Sequence, residues 1–313
     1  MPNQNLSICI PTYKRPEVLA EGLSYLIPFA KELDIAIFVQ DDGSHDHTPD
    51  VVSKLQAEYE HLHFRSLPER LGYDRSFHQL LTWPTTRYRW LLGDYSRIRG
   101  EWLGKMHELL TASLPLDLVV VNGAYRIRGL ASQDYESANK LLHDLGWHMS
   151  WLSCSIYSDR LVEKADFETY YGTNFAHFCA IFDYLSRRPV RVRWEGESIV
   201  FNTKLPRKHF YEAKTIQMFI NRWTEAVISL PPAYSLKEKI HALRAHSPAT
   251  RMNRYRTFIE HRANGSYDRA VFNENRWHLW LATPLSTRRL SWIARSPRLL
   301  MRTLSKLMGW FSN

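Results

Sequence analysis

Short, mostly apolar segments alternate with segments of helical periodicity over the first 125 residues, and this alternation strongly constrains the fold. Runs of this length and composition are typical of buried strands. They occupy Leu6–Pro11, Ile35–Gln40, Leu62–Ser66, Tyr88–Leu92 and Leu116–Val121. Helices are predicted between them at Pro16–Leu33 and at residues 49–59, 74–82 and 100–113. The order predicts an α/β fold with a mostly parallel sheet flanked by helices.

Residues 126–313 show a different pattern of apolar residues. Residues 126–205 predict a mixed extension of the same sheet, with helices at 134–145 and 174–187 and strands at 148–157 and 190–201. From about residue 212 the pattern is helical, at Thr215–Leu230, Leu236–His246 and 251–263. We therefore expect one α/β domain over 1–205, divided at about residue 125, and a helical region over 206–313.

The net charge of +9 is unevenly distributed. Residues 1–200 carry 21 basic and 26 acidic side chains, whereas residues 201–313 carry 20 basic and 6 acidic ones. No acid follows Glu274, and the stretch 284–313 places Leu300, Leu304, Leu307 and Phe311 along one helical stripe beside basic residues. A basic amphipathic helix of this kind is typical of docking on an anionic membrane. The alternative is a helix packed on the body or on a second copy in a homo-oligomer.

Several classes are disfavoured by the sequence. No apolar run reaches the ~18 residues of a membrane span, and the first residues lack the pattern of a signal peptide. The three cysteines are scattered, which argues against a disulfide framework and fits the cytoplasm. Removing the chain from about Pro284 is expected to release the protein from a membrane without emptying a site in the first domain.

Polar residues follow three of the predicted strands. They are Pro11-Thr12-Tyr13, Asp41-Asp42 and Asp94. Ligands of open parallel sheets bind at the carboxyl ends of the strands. The sequence therefore predicts a binding site at this edge of the sheet.

The same segments carry a resemblance. Leu6 to Pro16, Asp41-Asp-Gly-Ser44 and Leu91-Leu-Gly-Asp94 resemble, in order and spacing, a family 2 glycosyltransferase of the GT-A fold. The likeness covers about residues 5–205 and is strongest to bacterial transferases of O-antigen and capsule assembly, of the abequosyltransferase type. It implies an inverting enzyme that moves a sugar from a nucleotide diphosphate sugar to a lipid-linked or polysaccharide acceptor. The expected location is peripheral, at the cytoplasmic face of the bacterial inner membrane.

The resemblance also implies roles for residues. The donor nucleotide is expected to contact Pro11, Thr12, Tyr13, Arg15, Asp41, Asp42, Asp74 and Arg75. Asp42 corresponds to the carboxylate that accepts the base N–H, and Asp41 is expected to face the other way. Residues 1–125 then form the donor half of the domain and residues 126–205 the acceptor half.

The metal motif departs from the family pattern. Family members end the fourth strand with Asp-x-Asp, whereas this chain reads Asp94-Tyr95-Ser96. A serine hydroxyl is a weak ligand for Mg²⁺ or Mn²⁺, which prefer carboxylates. Two alternatives stay open: a divalent metal held by Asp94 and Ser96 together with the donor, or neutralisation of the diphosphate by Arg97 and Arg99.

The catalytic base is also non-standard. The family places an acid near the start of a helix on the acceptor side, where this chain reads Tyr170 to His177 without an acid. His177 is therefore the predicted base, since imidazole accepts a proton near neutral pH. Asp166 and Glu168 are the alternatives.

Two other function classes compete with an enzyme. The lost acid in the metal motif and the missing base acid favour a non-catalytic nucleotide-sugar-binding partner in a polysaccharide assembly complex. The basic pI of about 9.4 suggests nucleic-acid binding. Against that interpretation, the first 200 residues are net acidic and contain no nucleic-acid-binding motif, so we expect no nucleic-acid partner.

Overall fold

The computed structural model of the chain describes residues 4–112, 114–205, 216–249 and 254–310. Their contacts divide into two compact units, one comprising residues 1–141 and 148–206, the other residues 142–147 and 207–313. The strands are β1 Leu6–Thr12, β2 Ala36–Asp41, β3 Leu62–Ser66, β4 Tyr88–Leu91, β5 Ser96–Ile98, β6 Leu118–Gly123, β7 Gln133–Tyr135, β8 Ser155–Ser158 and β9 Val192–Asn202.

The helices alternate with these strands and then continue alone. Those of the first 206 residues are α1 Pro16–Glu32, α2 Thr48–Gln56, α3 Tyr73–Leu81, α4 Gly100–Ala112, α5 Ala138–Leu145, α6 Asp159–Lys164 and α7 Ala176–Leu185. The later ones are α8 Trp223–Ile228, α9 Leu236–Ala249, α10 Tyr255–Asn264, α11 Arg269–Ala282, α12 Thr287–Arg295 and α13 Arg298–Trp310. A π-helical segment, Gln217–Arg222, precedes α8.

One sheet organises the first unit. Its strand order is β3-β2-β1-β4-β8-β6-β9-β5, and β7 pairs with β9. The four strands at the β3 end are parallel, whereas β8, β5 and β7 run antiparallel to their neighbours. The strands β1, β2, β3, β4, β6 and β9 point the same way, so their carboxyl ends share one edge of the sheet. The predicted α/β fold with a sheet flanked by helices is confirmed.

Apolar strands explain the position of the core. Leu6, Ile8 and Ile10 of β1 are buried and pack with Leu19 and Leu23 of α1. Burial of both faces is what a parallel strand covered by helices requires, and it accounts for the lack of polar alternation in the sequence. Pro16 starts α1 at a position where no intrahelical N–H is lost.

Some elements differ from the sequence prediction. The segment predicted as a strand over 148–157 forms two 3₁₀ turns, His148–Ser150 and Leu152–Cys154, before β8 begins. The segment predicted as a helix over 134–145 divides into the end of β7 and α5. Because β5 and β7 are three residues long, they are too short to produce a clear periodicity.

The second unit is helical, and its last helices bury an apolar cluster. Leu290 and Ile293 of α12 and Met301 of α13 lie within this cluster with Phe258 and Tyr267. Part of the tail predicted over 284–313 therefore packs into the core of the second unit through α12 and α13. No described helix is both long and apolar enough to span a bilayer.

The basic face predicted for the tail also has internal partners. Arg298 Nη2 donates to the carbonyl oxygen of Asn264 at 2.9 Å, and Arg302 Nε donates to that of Ala263 at 3.2 Å. Both acceptors lie at the carboxyl end of α10, where a cation stabilises the helix dipole. Of the predicted apolar stripe, Leu300 and Leu307 are 45% and 46% exposed, and Phe311 lies outside the described residues.

Candidate active site at the strand ends

Thr12, Arg15 and Asp94 form the centre of the carboxyl edge. Arg15 Nη1 donates to Asp94 Oδ1 at 2.9 Å, and Thr12 Oγ1 donates to Asp94 Oδ2 at 3.1 Å. The Asp94 side chain is 5% exposed and that of Arg15 is 28% exposed. Burial raises the pKa of Asp94, and the charge and hydrogen bond of Arg15 oppose this shift. Asp94, which is itself fixed by Thr12, therefore holds the partly exposed guanidinium of Arg15 at the carboxyl edge.

Asp42 lies beside a second group of side chains. It accepts hydrogen bonds from the backbone N–H groups of Leu71 at 2.9 Å and Gly72 at 3.1 Å. Burial raises its pKa, and these two N–H groups oppose the shift. Arg70 lies 3.7 Å from Asp42 Oδ2, and its guanidinium stacks 4.3 Å from the centre of the Tyr13 ring. Tyr13, Asp42 and Arg70 therefore form one polar and aromatic pocket.

Sequence reasoning named Tyr13 and Asp42 but missed Arg70. The signal was present, because Arg70 follows β3, whose carboxyl end lies at the same edge as β1 and β2. Pro11 is the penultimate residue of β1 and pairs with Gln40.

Asp41 has a different task from its neighbour. Its carboxylate accepts hydrogen bonds from Ser44, through both the backbone N–H and the hydroxyl, and from Ser66 Oγ at 2.7 Å. These contacts fix the turn after β2 to the end of β3. Asp41 thus stabilises the loop and makes contacts different from those of Asp42.

Asp74 and Arg75 are not at the pocket centre. Asp74 is buried and accepts hydrogen bonds from the N–H groups of Gly172 at 2.9 Å, Asn174 at 2.8 Å and Ala176 at 3.3 Å. Its carboxylate thereby satisfies the donors that precede and open α7. Arg75 is exposed and stacks on Tyr171. Both oxygens of Asp74 therefore serve the protein backbone in this structure, and the contacts of Asp74 and Arg75 with the donor nucleotide stay a prediction.

The two arginines proposed to meet a diphosphate are engaged elsewhere. Arg97 is 3% exposed, and it donates to the carbonyl oxygens of Asp94 at 2.6 Å and Val18 at 2.9 Å. Arg99 Nε donates to the carbonyl oxygen of Ser198 at 2.8 Å. Arg97 therefore ties the turn after β4 to α1, and Arg15 is the arginine that reaches the site.

Ser96 is also directed inward. Its hydroxyl accepts from Ser153 Oγ at 2.7 Å and donates to Asn202 Oδ1 at 3.4 Å, and the residue is 3% exposed. In this structure the Ser96 hydroxyl is thus used within the protein, and the Asp94–Ser96 metal pair stays a prediction.

The oxygen atoms at this edge are candidate ligands for Mg²⁺ or Mn²⁺. Such cations prefer several oxygen ligands, usually carboxylates. Asp94 is the carboxylate at this turn, and both its oxygens accept hydrogen bonds from Thr12 and Arg15. Within the described residues, no group of three His, Cys, Asp or Glu side chains is placed to hold a metal. The protein side chains alone therefore do not complete a divalent metal site at this turn, and a metal would need further oxygen ligands from the donor.

His177 lies in the interior. It is 1% exposed, its Nε2 is 3.2 Å from the carbonyl oxygen of Ser150, and the rings of Tyr73, Phe77 and Phe175 surround it. Burial lowers its pKa to about 4, so it is neutral at neutral pH and a weak base. A base must reach the hydroxyl that it deprotonates, so this environment corrects the predicted role of His177.

The carboxyl end of β6 adds an aromatic surface that the sequence did not reveal. Ala124 and Tyr125 both have positive φ angles, 50° and 52°, which non-glycine residues rarely adopt. A Cβ on Gly123 would lie 2.4 Å from the Trp151 ring, so only glycine allows this contact. Arg126 Nη1 donates to the carbonyl oxygen of His148 at 3.2 Å. Strained backbone of this kind clusters at functional sites, and here it exposes Tyr125.

Comparison with known proteins identifies the family. The model of glycosyl transferase family 2 matches residues 7–184, which is more than half of the chain. The chain belongs to glycosyl transferase family 2. The family recognised from the three strand-end motifs is thereby confirmed.

A curated relative comes from Salmonella typhimurium. Abequosyltransferase RfbV is 27% identical over 195 residues, which cover 55% of this chain and 58% of RfbV. The chain thus matches little more than half the length of that relative.

Solved structures of similar fold cover nearly the whole chain. Residues 1–349 of S. aureus TarS give a TM-score of 0.57 at 14% identity, with 98% of this chain and 92% of that chain covered. Mannosyltransferase PcManGT from Pyrobaculum calidifontis, solved with GDP-Man and Mn²⁺, gives 0.53 at 15% identity, with 100% and 90% covered. At these identities the likeness shows the fold, and the GT-A architecture is confirmed.

Proposed function

We propose that the chain is a glycosyltransferase that moves a sugar from a nucleotide diphosphate sugar to a saccharide acceptor in bacterial surface-glycan biosynthesis. The Arg15–Asp94–Thr12 cluster carries this proposal, because it holds a cation at the strand ends of a family 2 sheet. The solved TarS structure with UDP-GlcNAc and the relationship to an abequosyltransferase support the donor class.

Arg15 is proposed to stabilise the leaving diphosphate. A guanidinium has five N–H donors, and the bond to Asp94 uses one of them at Nη1. Phosphate oxygens match the planar geometry of the remaining donors. The partial burial of the pair strengthens the interaction, since solvent screens it less. No step in this proposal passes through a metal, because the protein side chains alone do not complete a metal site.

The nucleotide base is proposed to bind between Tyr13, Asp42 and Arg70. An aromatic ring provides a stacking surface, and the carboxylate and guanidinium supply an acceptor and donors for the base edge. In the structure Arg70 occupies the face of the Tyr13 ring, so we expect it to move when a nucleotide binds. Residues 1–125 would then form the donor half, as their strand ends suggest.

The reaction is proposed to be a single displacement with inversion. The acceptor hydroxyl attacks the anomeric carbon, the bond from that carbon to the diphosphate oxygen breaks, and the hydroxyl proton passes to a base. Of the two acids named as alternatives, Asp166 accepts hydrogen bonds from Thr169 that lower its pKa, which weakens it as a base. Glu168 is exposed and is the side chain to test, by comparing Glu168→Gln with Asp166→Asn.

The acceptor is proposed to be a lipid-linked saccharide, with residues 126–205 as the acceptor half. The exposed Tyr125 and the partly exposed Trp151 at the end of β6 offer flat surfaces for a sugar ring. The enzyme would then work at the cytoplasmic face of the inner membrane.

The helical second unit is proposed to dock on an anionic bilayer. Trp277, Trp280 and Trp292 are 72%, 54% and 58% exposed, and Arg288, Arg289 and Arg295 are on α12. Indole rings favour the interface of a bilayer, and arginines favour its anionic headgroups. A truncation from Pro284 is a poor test of this idea, because it would remove Leu290 and Met301 from the core of the unit.

Membrane docking is tested with the whole chain and sedimented vesicles. The double variant Trp277→Ser and Trp280→Ser should bind vesicles containing phosphatidylglycerol several-fold more weakly, while its melting temperature stays close to that of the parent. The control is Leu114→Ser, which removes an exposed apolar side chain from the first unit. Equal binding of the double variant and the parent would contradict docking through this surface.

The donor and the activity are tested in two steps. A thermal-shift screen of nucleoside diphosphates and their sugars should raise the melting temperature with one base class. Transfer is then measured with the labelled donor and bacterial lipid extracts. Glycosylated lipid whose formation depends on Arg15 supports the proposal, whereas donor binding without transfer or hydrolysis contradicts it.

That last outcome would favour the second candidate, a non-catalytic nucleotide-sugar-binding partner. The burial of Ser96 and His177, which leaves the site without a metal pair and without the predicted base, is the observation in its favour.

A further inference from the structure

A second charged cavity lies at the opposite edge of the same sheet. Its volume is about 320 Å³, within the range of small-molecule pockets. The lining residues are Asp117, Arg160, Tyr184, Arg188, Pro189 and Arg191. Asp117 directly precedes β6 and Arg191 directly precedes β9, so the cavity opens at the amino ends of these strands. It is therefore separate from the site at the carboxyl ends.

Asp117 lies at the bottom of this cavity and fixes the side chains that line it. Its side chain is 1% exposed and accepts hydrogen bonds from Arg160 Nε at 3.0 Å, Arg191 Nε at 3.3 Å and Tyr184 Oη at 3.0 Å. The backbone fixes it as well, because its N–H donates to the carbonyl oxygen of Arg191 at 2.8 Å. Two arginines are thereby held in defined positions around one buried carboxylate.

The arginines extend from this anchor towards solvent. The side chains of Arg160 and Arg191 are 40% and 38% exposed, so each presents part of its guanidinium beyond the carboxylate. The hydrogen bond to Asp117 raises the pKa of Arg160, which keeps it charged. Arg188 lines the cavity without a described bond to Asp117, and its guanidinium stacks 4.8 Å from the centre of the Tyr184 ring.

The charge of the lining is unbalanced. Three guanidiniums face one carboxylate, which leaves an excess of two positive charges. The adjacent acid Asp183 is paired with Arg187 at 2.9 Å and does not line the cavity. A phosphomonoester carries close to two negative charges at neutral pH, and guanidiniums bind its oxygens with good geometry.

We propose that the cavity formed by Arg160, Arg188, Arg191 and Tyr184 is a binding site for a phosphate-bearing ligand, distinct from the donor site. The phosphate group lies between the three arginines, and the rest of the ligand occupies the remaining volume beside Tyr184. The phosphate can belong to a soluble metabolite or to a lipid headgroup, and the experiment separates these sources.

The test is a calorimetric titration of the full chain with inorganic pyrophosphate, which measures the binding affinity. Arg188→Ala removes a lining charge without leaving Asp117 unpaired, and Arg187→Ala is the matched control, since it removes the same charge one residue away. Because the donor site also binds a diphosphate, the binding component of interest is the one that Arg188→Ala changes and Arg187→Ala retains. We expect Arg188→Ala to weaken that component about tenfold and the control to change it less than twofold.

Vesicle binding then assigns the source of the phosphate. If Arg188→Ala weakens binding to vesicles containing phosphatidic acid, which carries a phosphomonoester, as well as to pyrophosphate, the ligand is a headgroup. If it weakens only pyrophosphate binding, the ligand is soluble. Unchanged pyrophosphate affinity in Arg188→Ala, or an equal loss in both variants, would overturn the proposal. Matching melting temperatures of the two variants exclude unfolding as the cause.

Discussion

Asp94 and Asp117 are buried carboxylates at opposite edges of one sheet, and each is paired with arginine. Asp94 meets one arginine and one threonine hydroxyl, and its partner Arg15 is partly exposed at the carboxyl edge. Asp117 meets two arginines and a tyrosine, and Arg188 adds a third guanidinium nearby. A buried aspartate paired with arginine is therefore part of a charge-balanced site at one edge and of a strongly cationic cavity at the other.

The two sites show that a buried carboxylate can contribute to binding without contacting a ligand, because it positions the arginines that do. A buried acid lowers the freedom of the arginine that it holds, and the arginine then presents its other donors at a fixed place. Removing such an acid leaves cations buried without a partner, which costs more than the pair contributes. The following predictions separate the structural role of each pair from its functional role.

Asp117→Ala is expected to have the largest effect. It removes the shared acceptor of Arg160, Arg191 and Tyr184. Because both arginines stay partly exposed to solvent, the free energy of unfolding should fall by about 2–3 kcal/mol. Urea denaturation measures this change. Asp183→Ala, which removes the single partner of the exposed Arg187, is the control and should cost about 1 kcal/mol or less. Equal losses in the two variants would show that Asp117 is not an anchor.

Arg15→Ala tests the functional side of the comparison. If Arg15 stabilises the leaving diphosphate, kcat/KM should fall by about 10²–10³-fold. The melting temperature should also fall, because Asp94 is left buried without its cation. Arg15→Lys keeps the charge but not the planar donors, so it should recover only part of the activity. Steady-state kinetics with the identified donor decides the matter. A loss below about threefold for Arg15→Ala would place the leaving-group charge on another residue.

His177 tests whether a buried titrating side chain serves stability rather than catalysis. Its pKa is about 4 in the folded protein and about 6.5 in an unfolded chain, so the unfolded state binds the proton first as the pH falls. Stability should therefore decrease between pH 6.5 and 4, by up to about 3 kcal/mol from this group. His177→Gln should flatten that slope and keep most of the transfer activity. An unchanged slope with abolished turnover would restore His177 as the base.

Chelation of divalent metals is expected to have the smallest effect. Because both Asp94 oxygens are occupied and Ser96 is buried, transfer should persist in EDTA at near the untreated rate. The measurement compares rates before chelation, after chelation and after Mn²⁺ is added back. Activity that disappears with EDTA and returns with Mn²⁺ would show that Asp94 exchanges Arg15 for a metal when the donor binds.

Much of the fold could be read from the chain. The strands β1, β2, β3 and β4 and the helices between them were predicted within two or three residues, because buried strands and amphipathic helices have strong local periodicities. The strand-end position of Thr12 and Asp94 also followed, since parallel strands bring their carboxyl ends to one edge. The elements missed, such as β5 and β7, are too short to have a periodicity of their own.

The direction of single side chains could not be read in this way. His177 and Asp74 lie near the correct segments, but the packing of α3 against the start of α7 turns both into the interior. Arg70 and Arg97 show the same limit, since one reaches the pocket and the other ties the turn after β4 to α1.

The sequence by itself determined the family, the order of strands and helices and the edge of the sheet at which polar residues gather, because these depend on local periodicity and chain direction. The tertiary structure decided which arginine meets Asp94, that the Ser96 hydroxyl meets Ser153, and that Asp117, Arg160, Tyr184 and Arg191 meet in one cavity. The reason is physical: burial and hydrogen-bond partners come from residues far apart in the chain, and they set the charge and the reach of each side chain.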